Sequence, residues 1–123
     1  MPRTRVVLFK EEGGGAPLLA WLDRLDEKAR AKCVVRIERL AEIGHALRRP
    51  EADFLRDGIY ELRTHRGHVQ YRMLYFFHGR SAVVLSHGFS KEKRVPPVEI
   101  ELAISRKKMF EAHPARHTLE TKL

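Results

Sequence analysis

The sequence predicts a small α+β domain in which a helical hairpin packs on one face of a mostly antiparallel sheet. Three observations support this fold class: an apolar run near the N-terminus, two following segments with helical apolar spacing, and three later segments rich in Tyr, Phe, Val and Ile. With a final helix, the predicted order is β-α-α-β-β-β-α. A chain of 123 residues suits one domain. We expect this domain at 1–111 and a polar, frayed tail at 112–123.

The N-terminal part of the chain predicts one strand and two helices. Val6–Phe9 is a short apolar run between charged residues, which is typical of a strand. Pro17 suits the first turn of a helix, and Asp26 suits the N-cap of a second one. Apolar residues recur at spacings of three and four in both segments, and Gly44 is a plausible stop. The two helices therefore form a hairpin whose apolar stripe needs a surface to cover it.

The C-terminal part of the chain predicts three strands and a helix. Residues 45–58 are polar and are expected to be a connection. The strand candidates are Ile59–Thr64, Val69–Phe77 and Ala82–Phe89, and the short glycine-containing joins between them predict two hairpins. Apolar residues Val98, Leu102, Ala103 and Met109 indicate a last helix after Pro96 and Pro97. The sheet face opposite the helical hairpin is expected to be left open for function.

The charge balance points to a polyanionic partner. The formal net charge is +8 and the sequence pI is about 10.1, which suits nucleic acid, an anionic membrane or an acidic protein. Residues 56–94 carry eight cations and three anions, so most of the excess coincides with the predicted strands. No apolar run approaches the ~20 residues of a membrane span, and no signal core follows the basic N-terminus. The single cysteine, Cys33, favours a reducing cytoplasm.

Several common chemistries lack their residues. The glycines at 13–15 are not followed by the Gly-Lys-Ser/Thr of a phosphate-binding loop. His65 and His68 flank a glycine in a predicted hairpin, where exposed loop histidines are a better interpretation than a metal site. The strand region contains only Asp57, Glu61 and Glu92 as acids, which is poor material for a two-metal nuclease. We therefore expect no metal and no other cofactor.

Cationic side chains on the predicted strands are the candidate site. They are Arg63, Arg72 and His87 on the strands and Lys91, Lys93 and Arg94 just after them. If the strands pair through the two hairpins, these groups converge on one face that binds phosphates. Each also has a purely structural interpretation: a salt bridge from Arg72 to Glu61 or to a helical acid, a satisfied histidine at His87, and a solvated turn for the last three.

Such a face suits cleavage of RNA without a metal. The ribose 2′-oxygen attacks the adjacent phosphorus while a base takes its proton, cations stabilise the developing charge, and an acid protonates the leaving 5′-oxygen. A histidine, or a lysine with a lowered pKa, can serve as acid or base. Tyr60, Tyr71 and Phe89 are candidates for stacking on splayed bases, although strand aromatics are more often core.

Residues 55–103 resemble the phage-derived HigB-like branch of the RelE/ParE toxin superfamily. Motifs of that family recur in the same order at Leu55–Arg63, Tyr71–Phe77, Val84–Lys91, Pro97, Glu99, Ile100 and Ala103. The resemblance implies a RelE-like fold and a bacterial type II toxin that cuts mRNA in the ribosomal A site without a metal. It also implies a cognate antitoxin, usually a helix-turn-helix protein, with which a hetero-oligomer forms.

The resemblance assigns roles to particular positions. Arg63 and Arg72 match the arginines of the family's Tyr-x-Leu-Arg and Tyr-Arg strands. Lys91 and Lys93 match the basic pair after its His-x-Phe segment, and Arg94 extends that pair. We add His87 to the catalytic candidates, and Arg66, Arg94, Tyr60 and Tyr71 to the RNA-binding candidates. Glu61 stands where better-studied relatives carry a lysine, and Glu99 and Ile100 occupy the region of a catalytic tyrosine of those relatives. The general base and acid therefore stay open, with His87 as a replacement.

The sequence is compatible with three functions. The first is an mRNA endoribonuclease that acts at the ribosome. The second is a ParE-like inhibitor of DNA gyrase, which shares the superfamily but cuts no RNA. The third is a basic binding module without catalysis, which the missing tyrosine keeps open.

Overall fold

The computed structural model describes residues 3–90 and 93–123, which form an α+β protein with a mixed sheet and three α-helices. The elements are β1 (Arg5–Phe9), α1 (Pro17–Arg24), α2 (Glu27–Ile43), β2 (Ala52–Arg56), β3 (Ile59–Arg66), β4 (Val69–His78), β5 (Ala82–Ser90), α3 (Pro97–Ala112) and β6 (Thr118–Leu119). The predicted α+β class is confirmed, but the predicted element order is wrong because β2 and β6 were not expected.

The six strands lie in the order β2-β3-β4-β5-β1-β6. Among the strands of residues 3–90 and 93–123, only β1 and β5 pair in parallel, and the other neighbours are antiparallel, so the prediction of a mostly antiparallel sheet is confirmed. The three central strands follow one another along the chain and pair through the two predicted hairpins. This meander fixes which side chains of β3, β4 and β5 lie next to one another.

Strand β2 lies in the stretch that was expected to be a connection. It pairs with β3 through a turn at Asp57 and Gly58, whose φ angles are 52° and 80°. A two-residue hairpin turn that matches the right-handed twist of its strands requires two successive positive φ angles, and Asp-Gly adopts them readily. The Asp-Gly pair was therefore a hairpin signal, although the polar sequence before it concealed the strand.

The C-terminal residues differ from the expectation of a frayed tail. Thr118 and Leu119 of β6 pair with β1. His117 is buried, its ring stacks on Phe9 at a centroid distance of 5.0 Å, and its Nδ1 lies 2.8 Å from the carbonyl oxygen of Lys10. The tail therefore extends the sheet at the edge of β1.

Helices cover both faces of the sheet. On one face α1 and α2 form the predicted hairpin, and the predicted caps of α2 are confirmed: the Asp26 side chain accepts a hydrogen bond from the Ala29 N–H at 2.8 Å, and Gly44 ends the helix with a φ of 61°. On the other face α3 packs through Ala103 and Phe110. The expectation that this face is open is therefore wrong for the part beneath α3.

The orientation of α3 also differs from the interpretation of its apolar residues. Val98, Leu102 and Met109 point to solvent, with Val98 71% exposed, while Ala103 and Phe110 are buried. Glu99, Ala103, Arg106 and Phe110 recur at spacings of four, three and four, which is the stripe that faces the sheet. Two charged residues are thus carried to the inner side of the helix.

Candidate functional site

Two rows of side chains cross β3, β4 and β5 on the face that α3 partly covers. The first row is Glu61, Leu74 and His87, and the second is Arg63, Arg72 and Phe89; the members of each row are directly opposite in register. Side chains opposite each other in antiparallel strands are close neighbours. The structure therefore brings Arg63, Arg72 and His87 to one face.

Arg72 is buried inside the second row. Its Nη1 donates to Oε2 of Glu61 at 2.8 Å, and its Nη2 donates to the carbonyl oxygen of Lys93 at 2.9 Å. A buried guanidinium needs such partners because burial of an unpaired charge is costly. The salt bridge to Glu61 is thus present, and Arg72 ties the segment after β5 to the centre of the sheet.

The more accessible cations are Arg63 and the basic segment after β5, which consists of Lys93 and Arg94. Nη1 of Arg63 lies 3.6 Å from Oε1 of Glu61, and its side chain is 27% exposed. One carboxylate of the first row therefore faces two arginines of the second, which leaves a net positive charge across the two rows. Lys93 and Arg94 are exposed, whereas Lys91 lies outside the described residues.

His87 is buried between two polar side chains. Its Nδ1 lies 2.8 Å from Oγ of Ser86, and its Nε2 lies 3.1 Å from Oε1 of Glu99 on α3. A register shift in β5 opposite Leu74 accompanies the turning of two consecutive residues, Ser86 and His87, toward α3. Burial, reinforced by the Arg106 charge, lowers the pKa of His87 below its ordinary value of 6.5 against the opposing effect of Glu99. The imidazole is therefore neutral at pH 7.

Arg106 was missed by the sequence reasoning. Its Nη1 donates to Oγ of Ser86 at 3.5 Å, its Nη2 lies 3.7 Å from Glu11, and its guanidinium lies 5.5 Å from the ring centroid of Phe9. Burial lowers the pKa of Arg106 from its usual value. The helical spacing of Arg106 from Ala103 was the signal that predicts its inward position.

Three of the RNA-binding candidates lie on the opposite face of the sheet. Tyr71 is buried at a ring-centroid distance of 6.3 Å from Trp21, and Tyr60 stacks on Tyr75 at 5.3 Å. Arg66 forms an ion pair with Asp26 at 3.1 Å. These side chains pack against or near the helical hairpin, so they do not converge with Arg63 and Arg72.

Metal-ligand clusters are not found among residues 3–90 and 93–123, where no three His, Cys, Asp or Glu side chains are placed to hold an ion. Over the same residues, no helix combines the length and apolar character needed to cross a membrane. Cys33 is buried, and burial raises its pKa to about 12, so the thiol stays protonated at neutral pH.

Both rows of side chains lie in a region that this chain shares with known proteins. The model of the family described as phage-derived protein Gp49-like (DUF891) matches residues 20–108, which include both rows and most of α3. The chain is also similar to proteins named probable endoribonuclease HigB1 from Mycobacterium tuberculosis strains CDC 1551 / Oshkosh and ATCC 25618 / H37Rv. Each is 29% identical over 105 residues, which is 83% of this chain and 81% of the relative.

Proposed function

Because the chain belongs to the phage-derived Gp49-like family, we propose that it is a HigB-like toxin of a type II toxin–antitoxin system and an endoribonuclease. The name of the HigB1 relatives supports the activity at the level of the family. In finer detail, the substrate is mRNA at the ribosome, no metal takes part, and the partner in the cell is a helix-turn-helix antitoxin.

The observation that carries this proposal is the grouping of cations around Arg72. Arg63 lies beside Arg72 in the same row. The hydrogen bond from Arg72 to the Lys93 carbonyl oxygen brings the basic segment to the same place. Arg63 and Lys93 bind the scissile phosphate and stabilise the charge that develops on it, together with Lys91 and Arg94. Arg72 is a positioning residue, because its Nη1 and Nη2 donate to protein oxygens.

The pair of His87 and Glu99 supplies the base. A neutral imidazole 3.1 Å from a carboxylate can share a proton with it, and the Glu99 side chain is 26% exposed, so it reaches the RNA where His87 does not. The 2′-oxygen forms a bond to phosphorus, its proton passes to this pair, and the bond from phosphorus to the 5′-oxygen breaks. A lysine of the basic segment protonates the leaving oxygen, which leaves a 2′,3′-cyclic phosphate and a 5′-hydroxyl.

The test is primer extension on a reporter mRNA in a purified translation system, with and without ribosomes. We expect cuts at codon positions that require ribosomes and that weaken at least tenfold in Lys93→Ala and in Arg63→Ala, since one phosphate contact is lost. Arg80→Ala is the matched control, because Arg80 is an exposed cation at the far end of the β4–β5 hairpin.

The other outcomes separate the alternatives. Cuts without ribosomes mean a free ribonuclease. No cuts under either condition reject the endoribonuclease, and a DNA gyrase assay then decides between a gyrase inhibitor and an inactive binding module.

A further inference from the structure

A cavity of about 320 Å³ opens at the edge of β3, beyond the end of its pairing with β2. We name it the edge cavity; its lining residues are Arg36, Pro50, Arg63, Thr64, His65 and Gln70. None of these described lining residues is acidic, and three of them carry basic groups. Because Arg36 belongs to α2 and the others to β3, β4 and the segment before β2, the cavity lies between the helical hairpin and the sheet edge.

The arginines around the edge cavity outnumber their carboxylates. Oε2 of Glu51 lies 3.0 Å from Nη1 of Arg36 and 3.2 Å from Nε of Arg39. Glu61 is shared in the same way between Arg63 and the buried arginine that lies opposite Arg63 on β4. Each carboxylate therefore neutralises one of two guanidinium groups, and each cluster keeps a net positive charge.

The two arginines that line the cavity are held in a half-buried state. The Arg36 and Arg63 side chains are 26% and 27% exposed, so their forks are partly removed from water. Partial burial strengthens attraction for an anion, and an arginine fork matches the oxygens of a phosphate. The Thr64 hydroxyl and the Gln70 amide add uncharged donors to the lining.

We propose that the edge cavity binds a backbone phosphate of single-stranded RNA that flanks the cleavage position, with Arg36 and His65 as RNA-binding residues. The inference rests on the proposed function, because Arg63 belongs both to the cavity and to the row that contains Arg72. An RNA strand that runs along Lys93 and Arg63 leaves the sheet over the edge of β3 and meets Arg36 there.

The test compares Arg36→Ala with Arg39→Ala. Both remove one arginine of α2 that pairs with Glu51, but only Arg36 lines the edge cavity. Binding of a fluorescein-labelled single-stranded RNA is measured by anisotropy over a range of NaCl concentrations, and thermal unfolding checks that each variant is folded. We expect Arg36→Ala to weaken binding roughly tenfold and to reduce the slope of log affinity against log salt by about 0.7, while Arg39→Ala changes little.

A second measurement uses RNAs in which single phosphates are replaced by neutral methylphosphonates. A methylphosphonate at one position is expected to weaken RNA binding by the wild type and to have no further effect on RNA binding by Arg36→Ala. The proposal is overturned if no position behaves in this way, if Arg36→Ala and Arg39→Ala lose affinity equally, or if the wild type binds no RNA.

Cleavage by the wild type in the translation system is scored separately. If the wild type cleaves the mRNA but Arg36→Ala binds RNA as tightly as the wild type, the edge cavity is rejected and the proposed function stands. Methylphosphonate-sensitive binding through Arg36 without any cleavage rejects the proposed function and supports the cavity.

Discussion

At the scale of single residues, the buried carboxylate of Glu61 holds the candidate site together. It accepts a hydrogen bond from Arg72 at 2.8 Å and lies 3.6 Å from Arg63, while Arg72 reaches on to the Lys93 carbonyl oxygen. These contacts place two arginines and the basic segment relative to one another. The charge of Glu61 and its position therefore matter for the geometry of the site.

The Glu61–Arg72 pair makes a prediction about stability. Arg72→Met leaves the Glu61 charge buried with one distant partner, and breaking a buried ion pair in this way costs about 3–5 kcal/mol. Removing both charges, in Glu61→Leu/Arg72→Met, is expected to cost clearly less than Arg72→Met alone. The free energy of unfolding in urea is measured for Arg72→Met, for Glu61→Leu and for the double variant. A double variant as destabilised as the sum of the two single variants contradicts the pairing.

His87 predicts how stability depends on pH. The pKa of His87 in the folded state lies below 6.5. Between that pKa and pH 6.5, the unfolded state binds a proton that the folded state does not. The contribution of the neutral His87 to stability is therefore lost as the pH falls from 6.5 toward the folded pKa. Each unit of depression corresponds to about 1.4 kcal/mol. The difference in unfolding free energy between wild type and His87→Gln is expected to shrink from pH 7.5 to pH 5. Parallel curves over this range contradict the assignment.

Part of the site was predictable from residue types and part from strand period. An arginine inside an apolar strand needs a partner, and Glu61 was one of the partners considered for Arg72. Alternation along the strands also places Tyr60 and Arg66 on the face opposite Arg63, and Tyr71 on the face opposite Arg72. The prediction that all of them bind one RNA overlooked this alternation. The contact between His87 and Glu99 was not predictable, because it depends on how α3 lies on the sheet.

At the scale of elements, α1 approaches β5 closely enough to require a glycine. A methyl group at position 88 would lie 2.2 Å from Cε3 of Trp21. Gly88→Ala is therefore expected to destabilise the protein by about 1–3 kcal/mol, since α1 or β5 must shift. Gly13→Ala is the control, because a methyl group there meets nothing within 4 Å. Equal unfolding free energies for the two variants, measured in urea, contradict this packing.

The elements that the sequence did not predict are those with weak local signals. β2 has five residues and β6 has two, and both lie in polar sequence. They form because β3 and β1 offer free edges for pairing, which is a property of the sheet and not of their own residues. The long elements were predicted because apolar period, the Asp26 cap and the glycine-containing hairpins agree with one another.

At the scale of the whole molecule, the fold gathers part of the net charge of +8 in one region of the surface. The meander brings Arg63 and the basic segment after β5 to one face, and α2 adds Arg36 at the sheet edge. The helical hairpin and α3 pack on the two faces of the sheet, and these cations stay partly exposed beside them. The fold thus supports a path for a polyanion across the end of the sheet, and this path is the basis of the proposed cleavage of RNA.

The central claim is that the protein cleaves RNA by attack of the ribose 2′-oxygen at this face. The most direct measurement uses an mRNA with a single 2′-deoxynucleotide at the mapped cleavage position, in the translation system described above. The account predicts that this RNA stays intact, while the unmodified RNA gives fragments ending in a 2′,3′-cyclic phosphate. Cleavage of the 2′-deoxy RNA at the same position and rate contradicts the account.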